Sequence, residues 1–311
     1  MNEENNTPLV SVLVPAYNHE KYVQDAIRSF ITQTYKNIEL IVIDDGSGDS
    51  TFSKILEMKE ECENRFARVV FETKENEGTG CTCNKLISKA KGKYVALIAS
   101  DDIYKPYAIE KQVAFLNNNP EYILVVGNQE NIDKDGKKIY FDKNVNITYD
   151  ENLAVYKTTE FLQEKRKINF KSEDFGEYST FLAVGNYVPN GCLIRKEAFD
   201  KFGDFTVDAP LEDYWMMMQL SKYGKFKYID EIFFSYRLHG KNTVTQDKKM
   251  RTMARKTLNY EFKTLKNINF NECLPNVKKT YYLYKFFGKL AKFCKKYELS
   301  CKYKKFKNTL K

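Results

Sequence analysis

Short apolar runs alternate with stretches of helical spacing through the first hundred residues, and this alternation constrains the fold more than any other feature. VSVLVP (Val10–Pro15) has the length and composition of a buried parallel strand. Tyr22–Gln33 follows, with Val23, Ala26, Ile27, Phe30 and Ile31 on one helical face. ELIVID (Glu39–Asp44) predicts a second strand, and Ser50 or Thr51 caps a helix expected to reach about Glu63. VVFE (Val69–Glu72), a helix over Cys81–Ala90 and YVALIA (Tyr94–Ala99) continue the pattern. A helix over Tyr107–Leu116 and the apolar run ILVVG (Ile123–Gly127) come next. Such an order predicts an α/β fold with a mostly parallel central sheet and helices on both faces. Residues 128–190, rich in Asn, Asp, Lys and Tyr, are expected to form loops and short helices. Cys192–Phe202 and Glu212–Tyr223 read as ordered again, and no internal repeat is visible.

At 311 residues, with 42% hydrophobic and 30% charged, the chain can bury the core of one large domain with an appended segment. No run of about 18 apolar residues occurs, so no membrane-spanning helix is expected. The acidic, polar start MNEENNTPLV does not read as a secretory signal. Seven scattered cysteines with no CxxC pair argue against a disulfide framework or structural zinc, and fit reduced thiols in the cytoplasm. Charge divides the chain unevenly. Residues 248–311 hold 19 Lys and Arg against 3 Asp and Glu, whereas residues 1–247 hold 31 against 39. We therefore expect a catalytic body over 1–246 and a basic, aromatic, helical extension over 247–311. In the extension, lysines interleave with Tyr281, Tyr282, Tyr284, Phe286, Phe287, Phe293, Tyr297 and Phe306. This composition suits an anionic membrane surface or packing on the body, and suits nucleic acid less well.

Ligands of parallel α/β sheets bind beyond the carboxyl ends of the strands. The first strand ends in Pro15-Ala16-Tyr17-Asn18, the second in Asp44-Asp45-Gly46-Ser47 and the fourth in Ser100-Asp101-Asp102. Any one of these could be a helix cap or a turn. Two acidic pairs at one edge repel each other unless a cation joins them, and oxygen ligands suit Mg²⁺ or Mn²⁺. A dinucleotide fold would need G-x-G-x-x-G after the first strand, where this chain has PAYNHE; a P-loop is also absent.

VSVLVPAYNHEKYVQDAIRSFITQTYKNIELIVIDDGSGDST closely resembles the opening of glycosyltransferase family 2, whose members have the GT-A fold. ENEGTGCTCNKLISKAKGKYVALIASDD resembles the stretch that leads to the family's acidic metal motif, and NGCLIRKEAFDKFGDF, LEDYWMMMQLSKYG and YRLHGKNT resemble its later landmarks. The likeness runs over about residues 8–245, with the motifs in the family's order.

The resemblance implies an inverting transfer of a hexose or N-acetylhexosamine from a UDP-sugar to a glycan or lipid-linked acceptor. Pro15, Tyr17 and Asn18 would line the nucleotide-base pocket, with Asp44 on the base or ribose and Asp45 and Ser47 shaping the turn. Asn84 would face the nucleotide sugar. Asp101 would reach the ribose or the metal, and Asp102 would hold Mn²⁺ or Mg²⁺ beneath the diphosphate. Asp213 would be the catalytic base, with Glu212 orienting the acceptor or serving only as a helix-start acid. Arg237 and His239 would approach the diphosphate or metal. Cys83 stands where the family often has an arginine, and Lys85 is a conceivable substitute. His19 reads as a rim residue, and the Met216-Met217-Met218 run as helix core. A metal-dependent nucleotidyltransferase and a non-catalytic sugar-nucleotide-binding protein are the competing readings.

Overall fold

The computed structural model describes residues 7–240, 242 and 247–296; the side chains at positions 165, 247 and 287–296 lie outside that description. The expected alternation opens the chain: β1 (Val10–Ala16), α1 (Val23–Ile31), β2 (Ile38–Asp44), α2 (Thr51–Leu56), α3 (Lys59–Arg65), β3 (Arg68–Thr73), α4 (Thr79–Lys89) and β4 (Tyr94–Leu97). The single helix expected from residue 50 to 63 is two, because the chain tightens at Met58, whose N–H bonds Ile55 O at 3.1 Å. Then come β5 (Ile103–Tyr104), α5 (Ala108–Asn118), β6 (Tyr122–Asp133), β7 (Lys138–Phe141), β8 (Ile147–Thr148), α6 (Glu160–Arg166) and α7 (Tyr178–Val184). The chain continues through β9 (Leu193–Arg195), α8 (Glu197–Phe202), α9 (Glu212–Leu220), β10 (Lys225–Leu238), α10 (Asp247–Thr264) and α11 (Pro275–Lys296).

The main sheet runs in the order β3-β2-β1-β4-β9-β6-β10-β5. Pairing is parallel from β3 through β4 and again between β6 and β10. The three-residue β9 is antiparallel to both β4 and β6, so those two strands point the same way. All the long strands therefore end at one edge. Alternate residues of β1 feed two cores: Val12 and Val14 pack with α1 and α5, Leu13 with α4 and α9. The result is a sheet clothed on both faces.

Two strands differ from the sequence expectation. The strand begun at ILVVG runs on through Asn128–Asp133, where loops were expected, because its buried polar side chains find partners. Thr159 Oγ1 donates to Asn128 Oδ1 at 2.7 Å, Asn190 N–H to Gln129 Oε1 at 3.0 Å, and Ser235 Oγ to Glu130 Oε1 at 2.8 Å. The 14-residue β10 was legible only at its YRL end. The composition change near 246 does not coincide with an edge of the core: Thr257, Glu261, Leu265 and Val277 are fully buried against α7 and α9. Tyr297, Cys301 and Phe306 lie outside the described residues, as do Lys241 and Thr243.

Candidate active site at the carboxyl edge of the sheet

The end of β2 is a turn built on itself. Asp44 accepts hydrogen bonds from Ser47 N–H at 3.1 Å, from Ser47 Oγ and from Thr73 Oγ1 at 2.9 Å. Gly46 makes the turn possible: its φ is +70°, and a Cβ there would sit 2.8 Å from Asn76 N. Asp45 turns away to the loop after β3, accepting from Lys74 Nζ, Glu77 N–H and Gly78 N–H. Burial opposes its charge, but these donors hold the carboxyl below its ordinary value. Across the crevice mouth, Asn18 adopts the left-handed conformation (φ 53°) and exchanges hydrogen bonds with the same turn, giving N–H to Ser47 Oγ and taking Gly48 N–H at 2.9 Å each. Tyr17 is left 48% exposed beside it, with Pro15 half-buried behind.

After β4 the chain presents Asp101 and Asp102, both buried. Asp101 sits between two imidazoles: His239 Nε2 lies 3.0 Å from Oδ2, and His19 Nδ1 lies 3.9 Å from Oδ1 and 2.8 Å from Ser100 Oγ. One ligand atom from each of His19, Asp101 and His239 falls within 4.8 Å of the others. Tyr22 orients both rings, stacking on His239 at 5.0 Å and meeting His19 edge-on at 6.0 Å. Burial lowers the His19 imidazole below its ordinary value, and His239 adds to that while Asp101 opposes it. Asp102 faces elsewhere, accepting Arg237 N–H on Oδ1 at 2.8 Å. Burial, then the charge of Asp101, pushes its carboxyl well above the usual range.

Two residues expected in the donor pocket are committed to the protein instead. The Arg237 guanidinium is 1% exposed; Nε donates to Asp101 O at 2.8 Å, NH1 to Lys134 O, and NH2 to Asp25, over the face of Tyr22. It braces the Asp101–Asp102 turn. Asn84 gives Nδ2–H to Phe205 O at 3.0 Å and accepts Phe205 N–H at 2.9 Å, so both ends of its amide tie α4 to the loop before α9.

Helix α9 brings Glu212 and Asp213 to the same crevice on its first turn. Asp213 opens to solvent through the crevice yet is walled by protein, and that crowding raises its carboxyl above the ordinary value. Asn186 Nδ2 (2.8 Å) and Tyr214 N–H (2.6 Å) oppose the shift. Glu212 is raised as well, by burial first and also by Asp213. Tyr236, near the end of β10, links the two halves. Burial and then the charges of Asp102, Asp101 and Asp213 raise its phenol above its ordinary value, so all three carboxylates act on one ring. Sequence reasoning left His19 as a rim residue and missed Tyr22 and Asn186. His19 follows directly on the first strand's carboxyl end, so the edge argument applied to it too; Asn186 had no signal.

A family model described as glycosyl transferase family 2 matches residues 11–203. An uncharacterized glycosyltransferase of Haemophilus influenzae is 33% identical over 241 residues, 76% of this chain and 68% of that protein. One from Rickettsia bellii is 40% identical over 134 residues, 43% of this chain and 19% of its own. The chondroitin synthase of Pasteurella multocida is 28% identical over 270 residues, 85% of this chain and 24% of the synthase. The chain spans only 19–43% of the length of the rickettsial proteins it matches. Among solved structures, a mannosyltransferase of Pyrobaculum calidifontis in complex with GDP-Man and Mn²⁺ aligns with a TM-score of 0.61 at 14% identity, over 88% of this chain and 68% of that one. Residues 1–349 of S. aureus TarS in complex with UDP-GlcNAc align at 0.55 and 17% identity, over 80% and 66%. At these identities the structures speak for a shared fold.

Proposed function

The chain belongs to glycosyltransferase family 2 and has the GT-A fold, and from that premise we propose that it is an inverting sugar transferase. The donor in this reading is a UDP-linked hexose or N-acetylhexosamine, and the acceptor a hydroxyl of a glycan or lipid-linked saccharide. UDP-GlcNAc on TarS and the likeness to a chondroitin synthase support the choice; GDP-Man on the mannosyltransferase makes the base the point to test. The observation that carries the proposal is the meeting of the His19–Asp101–His239 cluster and Asp213 at one sheet edge, in reach of Tyr236.

The exposed Tyr17 ring, Pro15, Asn18 and the Asp44 turn form the rim that would take the nucleoside. His19, Asp101 and His239 are a fitting donor set for a divalent ion. Two nitrogens and one carboxylate suit Mn²⁺ better than Mg²⁺, which favours oxygen. Asp102, set next to Asp101, accepts Arg237 N–H and so fixes the turn behind the cluster. A bound ion would stabilise charge on the departing diphosphate. Asp213, held by Asn186, would take the acceptor hydroxyl's proton, and its raised affinity for protons suits a general base. Attack from the face opposite the leaving group inverts the anomeric carbon.

The site of action fits the inner face of a membrane. Among the described residues no helix is long and apolar enough to cross one. On α11, however, Tyr282, Leu283 and Phe286 are 53%, 48% and 62% exposed among lysines, the composition of an interfacial helix.

Asp213→Asn separates chemistry from binding. It keeps the side chain's shape and removes the proton acceptor, so transfer should fall by about 10²-fold or more. Donor affinity, measured by calorimetry, should stay within about twofold. Loss of donor affinity instead would move Asp213 out of the base role.

A further inference from the structure

Helix α10 reaches α9 at both ends of the segment that carries Asp213. At the front, Leu211 N–H, the residue just before Glu212, donates to Thr257 Oγ1 at 3.2 Å, and Thr257 is completely buried. One turn later on α10, Glu261 is also completely buried and gathers three donors. Gln219 Nε2 lies 2.6 Å from Oε2; Lys222 Nζ at 2.7 Å and Tyr178 OH at 2.5 Å lie on Oε1. Lys222 is 2% exposed and gives a second hydrogen bond to Gln219 Oε1 at 2.7 Å.

These partners are not scattered. Gln219 is in α9, and Lys222 follows directly on its C-terminal end. Tyr178 begins α7, the helix whose exit carries Asn186, the side chain that holds Asp213. Glu261 thus fixes α7 against α9, and Tyr214 OH repeats the tie by donating to Phe181 O at 2.6 Å. A charge pair with this little solvent is a poor source of net stability. What it does supply is a defined geometry, since any sliding of α7 or α9 strands a buried charge.

We propose that Thr257 and Glu261 are positioning residues: α10 holds Asp213 and Asn186 in register, and the basic C-terminal segment is in this way part of the catalytic apparatus. The inference rests on Asp213 being the base. Placing a reacting group depends steeply on distance, and a shift of about 1 Å costs on the order of 10²-fold in rate.

Thr257→Val keeps shape and removes only the acceptor at Leu211. Glu261→Gln removes the charge and leaves an amide of equal size. Each should lower kcat for transfer by about tenfold or more, while the KM for the nucleotide donor moves less than twofold. In an Asp213→Asn background the Thr257→Val effect should vanish, because the group it positions has already gone. Equal effects of Thr257→Val in both backgrounds would overturn the proposal and leave α10 as packing alone, as would unchanged kcat in the single variant. Should Glu261→Gln fail to fold, Thr257→Val with its double variant decides the matter. If Asp213→Asn alone leaves transfer intact, the base assignment has failed, which is a separate result from failure of the clamp.

Discussion

Asp213 holds its position through two short hydrogen bonds, and their effect on its proton is opposite to that of burial. A base works only when deprotonated. Since burial raises its carboxyl above the ordinary value, kcat should fall as pH drops through that raised value, at a higher pH than for a free aspartate. Asn186→Ala removes one of the groups that favour the charge, so the acid limb should move to still higher pH. A pH–rate profile checks this, and a limb that stays put or moves down would separate Asn186 from the base. At this scale the sequence was legible where chemistry repeats in a motif: Asp101, Asp213 and His239 all stand at the crevice. Residue type did not reveal that Arg237 braces the Asp101–Asp102 turn or that Asn84 ties α4 to Phe205. His19 was undervalued because a single histidine gives no sign of the second one 5.7 Å away.

Elements rather than residues explain the larger misreading of 128–190. A strand that buries Asn128, Gln129, Glu130 and Asn131 has no apolar pattern to detect, since partners of these side chains come from 31 to 105 positions away. On β10, Lys225, Lys227, Asp230 and Glu231 mask the apolar alternation in the same way. The early strands β1 and β2 were legible because both their faces are buried and their side chains are apolar apart from Ser11, Glu39 and Asp44. β6 and β10 meet closely at Gly127, where a Cβ would lie 2.3 Å from the Phe233 ring. Gly127→Ala should therefore destabilise the protein by about 1–3 kcal/mol, the usual range for overpacking. Urea denaturation reads this directly. A loss below about 0.5 kcal/mol would show that the two strands part without cost.

At the scale of the whole molecule, the acidic body and the basic C-terminal segment meet in one core, so the charge contrast is not a division of labour between separable parts. On that segment α10 packs on α9, the helix that carries Asp213, and α11 presents exposed aromatics among lysines. Each lysine near an anionic surface contributes about 1 kcal/mol, weakened by salt. The full chain should sediment with anionic lipid vesicles at low salt and release at high salt. Sedimentation with neutral vesicles alone would remove the lysines' attraction as its cause, and sedimentation with neither kind would remove the membrane contact.

The central claim is metal-assisted release of a nucleoside diphosphate at the His19–Asp101–His239 cluster, and the direct measurement is UDP release from UDP-sugars by the full chain. Turnover is expected with Mn²⁺, with loss in chelator and a lower metal requirement for Mn²⁺ than for Mg²⁺. His19→Ala should raise the Mn²⁺ concentration for half-activation by about tenfold or more, the scale on which even indirect contacts tune metal sites. Turnover that persists in chelator, or a His19→Ala variant with unchanged Mn²⁺ dependence, would contradict it.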